Sequence, residues 1–266
     1  MSRQPYLEAV NERVIVFDGA FGTFVQDLDL GPADFGGESL EGCNEMLCLT
    51  RPDVIESMHR AFLDAGVDAI ETASFGSFST VLAEYNISDQ AYELNVAAAS
   101  IARRVADSYE SDGRPRYVAG SIGPGTKLPS LGHIDFITLR DSYEEQARGL
   151  IDGGADLFLI ETCMDLLQIK AAMQACRRAM KSVGREVPIQ VQVTMETTGR
   201  MLVGTEIGAA YASLQAMKPD VIGINCATGP SEMQEHLRYL SEHSQIPISV
   251  LPNAGLPSVV DGRTHY

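Results

Sequence analysis

Short apolar runs that end on polar groups recur along the chain, and between them apolar residues return every three or four positions. Val14–Phe17 runs into Asp18, Val67–Ile70 into Glu71 and Thr72, and Tyr117–Gly120 into Ser121. Further runs end at Glu161-Thr162, at Thr194, at Asn225-Cys226 and at Val250. Runs this short, bounded by Gly, Pro and Asp, predict buried strands. The intervening stretches predict helices. Val54, Ile55, Met58, Ala61, Phe62 and Ala65 share one face, opened by Thr50-Arg51-Pro52-Asp53 and stopped by Gly66. Leu94, Ala97, Ala98, Ile101 and Val105 make a second face, and Leu139, Tyr143, Ala147, Leu150 and Ile151 a third. Leu167, Ala171, Ala175 and Ala179 follow, then helices from near Ile207 and over Met233 to Leu240.

One unit repeats. Asp64-Ala65-Gly66-Val67-Asp68 leads to Ile70-Glu71-Thr72, and Asp152-Gly153-Gly154-Ala155-Asp156 leads to Ile160-Glu161-Thr162. Lys218-Pro219-Asp220 leading to Ile224-Asn225-Cys226 is a looser copy. Strands alternating with helices predict an α/β fold with a parallel sheet, closed as a barrel or open and doubly wound. Seven strands are expected where a (βα)8 TIM-type barrel has eight. The tail from Pro252 to Tyr266 carries no strand signal, so a barrel reading lacks its last βα unit. Residues 28–49 show no period and read as a surface excursion that holds helical turns. The whole of 1–266 is expected to be one domain.

Composition narrows the partners. Lys plus Arg number 20 against 36 Asp plus Glu, a formal charge of −16. Such a surface repels phosphate backbones and anionic lipid, so neither nucleic acid nor a membrane is an expected partner. No apolar run is long enough to span a bilayer, and the N-terminus has no secretory h-region. The five cysteines (Cys43, Cys48, Cys163, Cys176 and Cys226) are odd in number and irregularly spaced. They encode neither a disulfide framework nor a zinc knuckle, and a reducing cytoplasm is the natural compartment.

The polar strand ends are the candidate chemistry: Asp18, Glu71, Ser121, Glu161, Thr194, Asn225, Cys226 and, beyond them, Asn253. In an α/β barrel these would share one mouth. Carboxylates, amides and a thiol there could bind an amino acid and act on sulfur; the same groups could instead cap loops or fill the core. Asp68 and Asp156, preceding their strands, lie at the opposite face and read as structural. The Gly123-Pro124-Gly125-Thr126-Lys127 loop could cradle phosphate, as in an aldolase-like barrel, but neither the P-loop nor the dinucleotide spacing is present.

Several stretches in order carry a more specific signal. They are Asp18-Gly19-Ala20-Phe21-Gly22-Thr23, Gly42-Cys43-Asn44-Glu45, Leu49-Thr50-Arg51-Pro52-Asp53, Gly120-Ser121-Ile122-Gly123-Pro124, Ile160-Glu161-Thr162, Ile224-Asn225-Cys226-Ala227-Thr228-Gly229-Pro230 and Pro252-Asn253-Ala254-Gly255-Leu256-Pro257. On these the chain resembles the homocysteine S-methyltransferase family, most of all the N-terminal homocysteine-binding module of its cobalamin-dependent members. The resemblance implies a (βα)8 barrel that holds Zn2+ through three cysteines and activates homocysteine as a zinc thiolate. It matches Cys226 to the first zinc ligand. It matches Asp18, the backbone at Gly19 and Ala20, and Glu161 to the substrate's amino-acid end, with Ser121 and Asn225 as neighbours. Cobalamin and methyltetrahydrofolate would be carried by further modules of a longer chain. The family's other two ligands form an adjacent Cys-Cys pair, and this sequence contains none. A truncated, inactive fragment and a stand-alone enzyme using S-methylmethionine or a similar donor are the alternatives.

Overall fold

The computed structural model describes residues 3–110, 113–255, 258–260 and 263–265. Helices α1 (Tyr6–Glu12), α2 (Phe21–Gln26), α3 (Pro32–Phe35), α4 (Leu47–Thr50) and α5 (Pro52–Asp64) precede strand β1 (Ala69–Glu71). Then come α6 (Ser79–Leu82), α7 (Ala91–Ser108), β2 (Tyr117–Ile122), α8 (Phe136–Gly153), β3 (Leu157–Cys163) and α9 (Leu166–Val183). They are followed by β4 (Ile189–Val193), α10 (Ile207–Met217), β5 (Val221–Asn225), α11 (Pro230–His243) and β6 (Ile248–Leu251).

Strands β1 to β6 are all parallel and lie side by side in sequence order. A doubly wound sheet reverses its order at a switch point. This sheet never reverses, which removes that alternative and leaves a singly wound sheet curled as a half-barrel. Alternation along each strand separates two cores. Ile70, Val118, Ile122, Phe158, Ile160, Val191, Ile222 and Ile224 pack outward with Leu150, Ala171 and Leu214 of the helices. Ala69, Tyr117, Ala119, Leu157, Leu159 and Val221 pack inward, closed from below by Tyr6 and Ala9 of α1.

Three expectations are corrected. Residues 14–17 form no full strand: only Phe17 bridges to Ala69, and Val14 (83%) and Val16 (51%) are exposed on the free side. Residues 28–49 are no mere surface excursion. Phe35, Leu47 and Cys48 are buried against Val54, Ile55 and Met58 of α5, and Cys43 and Met46 against Leu82 and Leu94. Short turns rather than one long helix deliver these side chains, which is why no period shows. The tail also holds strands: β7 (Ser258–Val260) and β8 (Arg263–His265) pair antiparallel. Leu256, Pro257 and Tyr266, quoted from the sequence, lie outside the described residues.

The repeated Asp has a definite task. Asp68, Asp156 and Asp220 each donate their backbone N–H to a carbonyl of the preceding neighbour segment, those of Val16, Val118 and Ile189, at 2.8, 2.8 and 2.9 Å. Each carboxylate in return accepts the N–H of that same residue, at 3.0, 2.8 and 2.8 Å. The reciprocal pair pins the register at the start of β1, β3 and β5. Asp68 also pairs with Arg13 and Arg114, and Asp156 with Arg3 and Arg103. Asp220→Ala is expected to leave the Ile189 N–H unpaired and cost about 1–3 kcal/mol. Urea unfolding checks this, and an unchanged midpoint would refute the pin.

Candidate active site

The structure brings the polar strand ends to one end of the sheet. Asp18 caps no helix: α2 starts without a side-chain cap, and both Asp18 carboxylate oxygens accept the Glu71 N–H at 3.0 Å. Gly19 and Ala20 follow, both exposed. Ser121, at the inner face of β2, donates its hydroxyl to Glu161 Oε1 at 2.6 Å. Asn225 Nδ2 reaches the other oxygen, Oε2, at 3.3 Å. Ser121 and Asn225 are each 2% exposed and Glu161 7%.

Three acids thus converge without a cation. Among the described residues, Asp18, Glu71 and Glu161 form no ion pair. Burial pushes the Glu161 carboxyl up to about 7, against the opposing hydrogen bond from Ser121. Burial raises Asp18 well above the usual carboxylate range, and the charge of Glu161 adds to this. Glu71 is raised likewise by burial, then by Glu161, Asp18 and Cys226. A buried, unpaired group of acids is costly unless protons or a cation neutralise it. A positive group placed among the three carboxyls would offset that cost.

Cys226 is half-buried at the end of β5, whereas Cys43, Cys48, Cys163 and Cys176 are buried; all five are free. Burial raises the Cys226 thiol, with Glu161 adding to the shift and Thr162 opposing it. Burial pushes the Cys43 thiol up to about 11. Thiols held protonated in the core are poor ligands and poor nucleophiles. Zn2+ needs three or four ligands. Among the described residues, no group of three or more His, Cys, Asp or Glu side chains could hold a metal ion. Cys226 is a chemically suitable single ligand, and the described residues alone do not complete a zinc site.

Glu71, a candidate strand end that the resemblance gave no role, sits with its side chain beside Asp18 and Glu161, and one further residue, Thr162, was given no role at all. Thr162 takes a left-handed backbone, φ +56, beside Glu161. The signal for both was the shared Glu-Thr dipeptide of the repeated unit. The Gly123–Lys127 loop is tied to the core: the Gly123 N–H donates to the Phe75 carbonyl at 3.0 Å, the Tyr143 hydroxyl donates to the Gly123 and Pro124 carbonyls at 3.0 and 3.2 Å, and Gln168 also donates to Pro124.

Comparison with known proteins shows the family. Residues 15–266 match the model of the family described as Homocysteine S-methyltransferase. Methionine synthase of Mycobacterium tuberculosis is 55% identical over 251 residues, covering 94% of this chain and 21% of that protein. The Mycobacterium leprae methionine synthase gives the same identity and coverage. The chain thus spans about a fifth of the length of the curated relatives it matches. The metallated form of the Escherichia coli homocysteine methyltransferase MmuM shares the fold, with a TM-score of 0.76 at 22% identity over 92% of this chain and 86% of that one. Its apo form superposes with a TM-score of 0.69 over 92% and 84% of the two chains.

Proposed function

Because this chain belongs to the homocysteine S-methyltransferase family, we propose that residues 1–266 are the homocysteine-binding domain of a methionine synthase. The fold is then a TIM-type barrel without its last βα unit. The observation that carries the reading is the cation-free group of Asp18, Glu71 and Glu161 beside a half-buried thiol. Glu161, held by Ser121 and Asn225, and Asp18 take the substrate's ammonium group. The amides of Gly19 and Ala20 take its carboxylate. The substrate's sulfur then lies toward Cys226.

Zn2+ supplies Lewis acidity that turns a thiol into a thiolate at neutral pH. Cys226 is the ligand this chain's described residues offer, and the remaining ligands belong elsewhere in the longer protein. The methyl donor is methylcobalamin, recharged from methyltetrahydrofolate on further modules, and the protein works in the cytoplasm. The single thiol favours a second statement about the chain as it stands: it binds the amino acid but does not transfer a methyl group unaided.

Calorimetric titration tests the reading. L-Homocysteine is expected to bind at least about 30-fold tighter than its N-acetyl derivative, which has no ammonium group, because a charge-assisted contact is worth roughly 2 kcal/mol. Asp18→Asn is expected to narrow that preference. Equal affinity for the two ligands would overturn the assignment.

A further inference from the structure

The end of β3 is irregular in a way that the binding of an amino group does not by itself require. Ile160 pairs with Val191 and Cys163 with Val193, so three steps on β3 face two on β4. The extra residue is a bulge at Glu161-Thr162. Bulges beside binding sites re-aim a side chain. Thr162, at φ +56, occupies a region that a β-branched residue enters only at a cost. Cys226 and Ala227 are also left-handed, at φ +60 and +59. Each such residue costs about 1–2 kcal/mol and persists only where its surroundings hold it.

Asn225 does the holding. Its Oδ1 accepts the Thr162 N–H at 2.8 Å, and its Nδ2 donates to Thr162 Oγ1 at 2.8 Å. The same Nδ2 reaches Glu161 Oε2 at 3.3 Å. The Asn225 carbonyl accepts the Thr194 hydroxyl at 3.0 Å, and the next N–H, that of Cys226, donates to Leu251 O at 3.1 Å. Strands β3 and β5 are not neighbours, since β4 lies between them. Asn225 therefore links the strand that carries Glu161 to the strand that carries Cys226, across the end of β4.

We propose that Thr162 and Asn225 are positioning residues, a clamp that fixes the Glu161 carboxylate and the Cys226 thiol in one relation. The clamp makes the distance between the two ends of the ligand a property of the protein. With both ends of its side-chain amide engaged, Asn225 acts through Glu161 and Cys226 rather than as a direct substrate contact. The idea rests on the homocysteine reading above, and its test separates the two.

Parent, Asn225→Ala, Thr162→Gly and Thr162→Ser proteins are compared by three measurements. These are thermal unfolding, calorimetric affinity for L-homocysteine, and the rate of Cys226 alkylation by iodoacetamide followed by mass spectrometry. Thr162→Gly relieves the left-handed backbone and removes the hydroxyl. It is expected to hold or raise Tm while weakening homocysteine about fivefold, a combination a merely structural role would not give. Thr162→Ser, which keeps the hydroxyl, is expected to recover most of that loss. Asn225→Ala is expected to weaken homocysteine about tenfold or more and to change the alkylation rate about fivefold, with Glu161 and Cys226 both intact. Parental affinity and alkylation rate in Asn225→Ala, with only Tm lowered, would overturn the clamp. Failure of the parent to bind homocysteine would overturn the substrate assignment instead, and the alkylation rates would still decide the clamp.

Discussion

Replacing Glu161 with glutamine is expected to stabilise the ligand-free protein at pH 8 while weakening homocysteine binding by about 10- to 100-fold. The two effects share one cause. In the folded chain Glu161 titrates at about 7, whereas in the unfolded chain a glutamate titrates at roughly 4.3. A carboxyl raised on folding binds its proton more tightly in the native state. Its contribution is therefore full below pH ~4.3 and is lost as pH rises through about 7, at ~1.4 kcal/mol per unit. Above that pH the folded protein bears a charge penalty of about 4 kcal/mol from this group. Glutamine removes the charge and gives up about 1 kcal/mol in hydrogen-bond quality. The net gain of about 3 kcal/mol corresponds to a Tm rise of roughly 5 °C.

His59 shapes the same profile from the other side. It is fully buried, neither ring nitrogen has a partner among the described residues, and burial holds it down to about 3. Its contribution is lost as pH falls below ~6.5, the value for an unfolded histidine. Between about pH 4.5 and 6.5 the Glu161 and His59 slopes oppose each other. Glu161→Gln is expected to make the slope in that window more positive than the parent's by about 1.4 kcal/mol per pH unit. Tm measured from pH 4.5 to 8.5 on both proteins checks this; a variant less stable than the parent at pH 8 would refute the raised carboxyl.

Gly153→Val is expected to cost more than ~4 kcal/mol, and Gly153→Ala about 2. Helix propensity alone gives the opposite sign for alanine, a gain of about 1 kcal/mol in a helix interior. The packing decides. A Cβ at Gly153 would lie 2.6 Å from Ala99 Cβ and 2.7 Å from the Val96 carbonyl oxygen on α7. One turn earlier, a Cβ at Gly149 would lie 2.7 Å from the Tyr92 carbonyl oxygen and 2.8 Å from Asn95 Cβ. The two glycines let α8 press directly on the α7 backbone, where no flexible side chain can move aside. Equilibrium urea unfolding checks both variants, and a Gly153→Ala protein more stable than the parent would show that the helices can separate at little cost.

The long helices were legible because each needs one apolar stripe, and α5, α7, α8, α9 and α11 carry it over three or more turns. The strand ends were legible because polar groups close each apolar run. The strand expected at residues 14–17 does not form. Val14–Phe17 has strand composition, but pairing depends on a neighbour that composition cannot supply, and Val14 remains 83% exposed. The packing of residues 28–49 was hidden because its buried residues come from several one-turn pieces. Of the candidate site, Asp18, Ser121, Glu161, Asn225 and Cys226 could be named from order along the chain. The Thr162–Asn225 contact could not, since it joins residues 63 positions apart across an intervening strand. Nor does any local preference place a threonine at a left-handed angle.

The aspartate pins carry one more consequence, for how such a sheet can be copied. They stand before β1, β3 and β5, while Arg116, Pro188 and Pro247 stand before β2, β4 and β6. The smallest piece of this sheet that carries its own register key is therefore a pair of strands with their helices, not a single βα unit. A segment of that size could be duplicated in tandem or exchanged between relatives without losing alignment at the junction. A single-unit insertion would put a keyed edge against an unkeyed one.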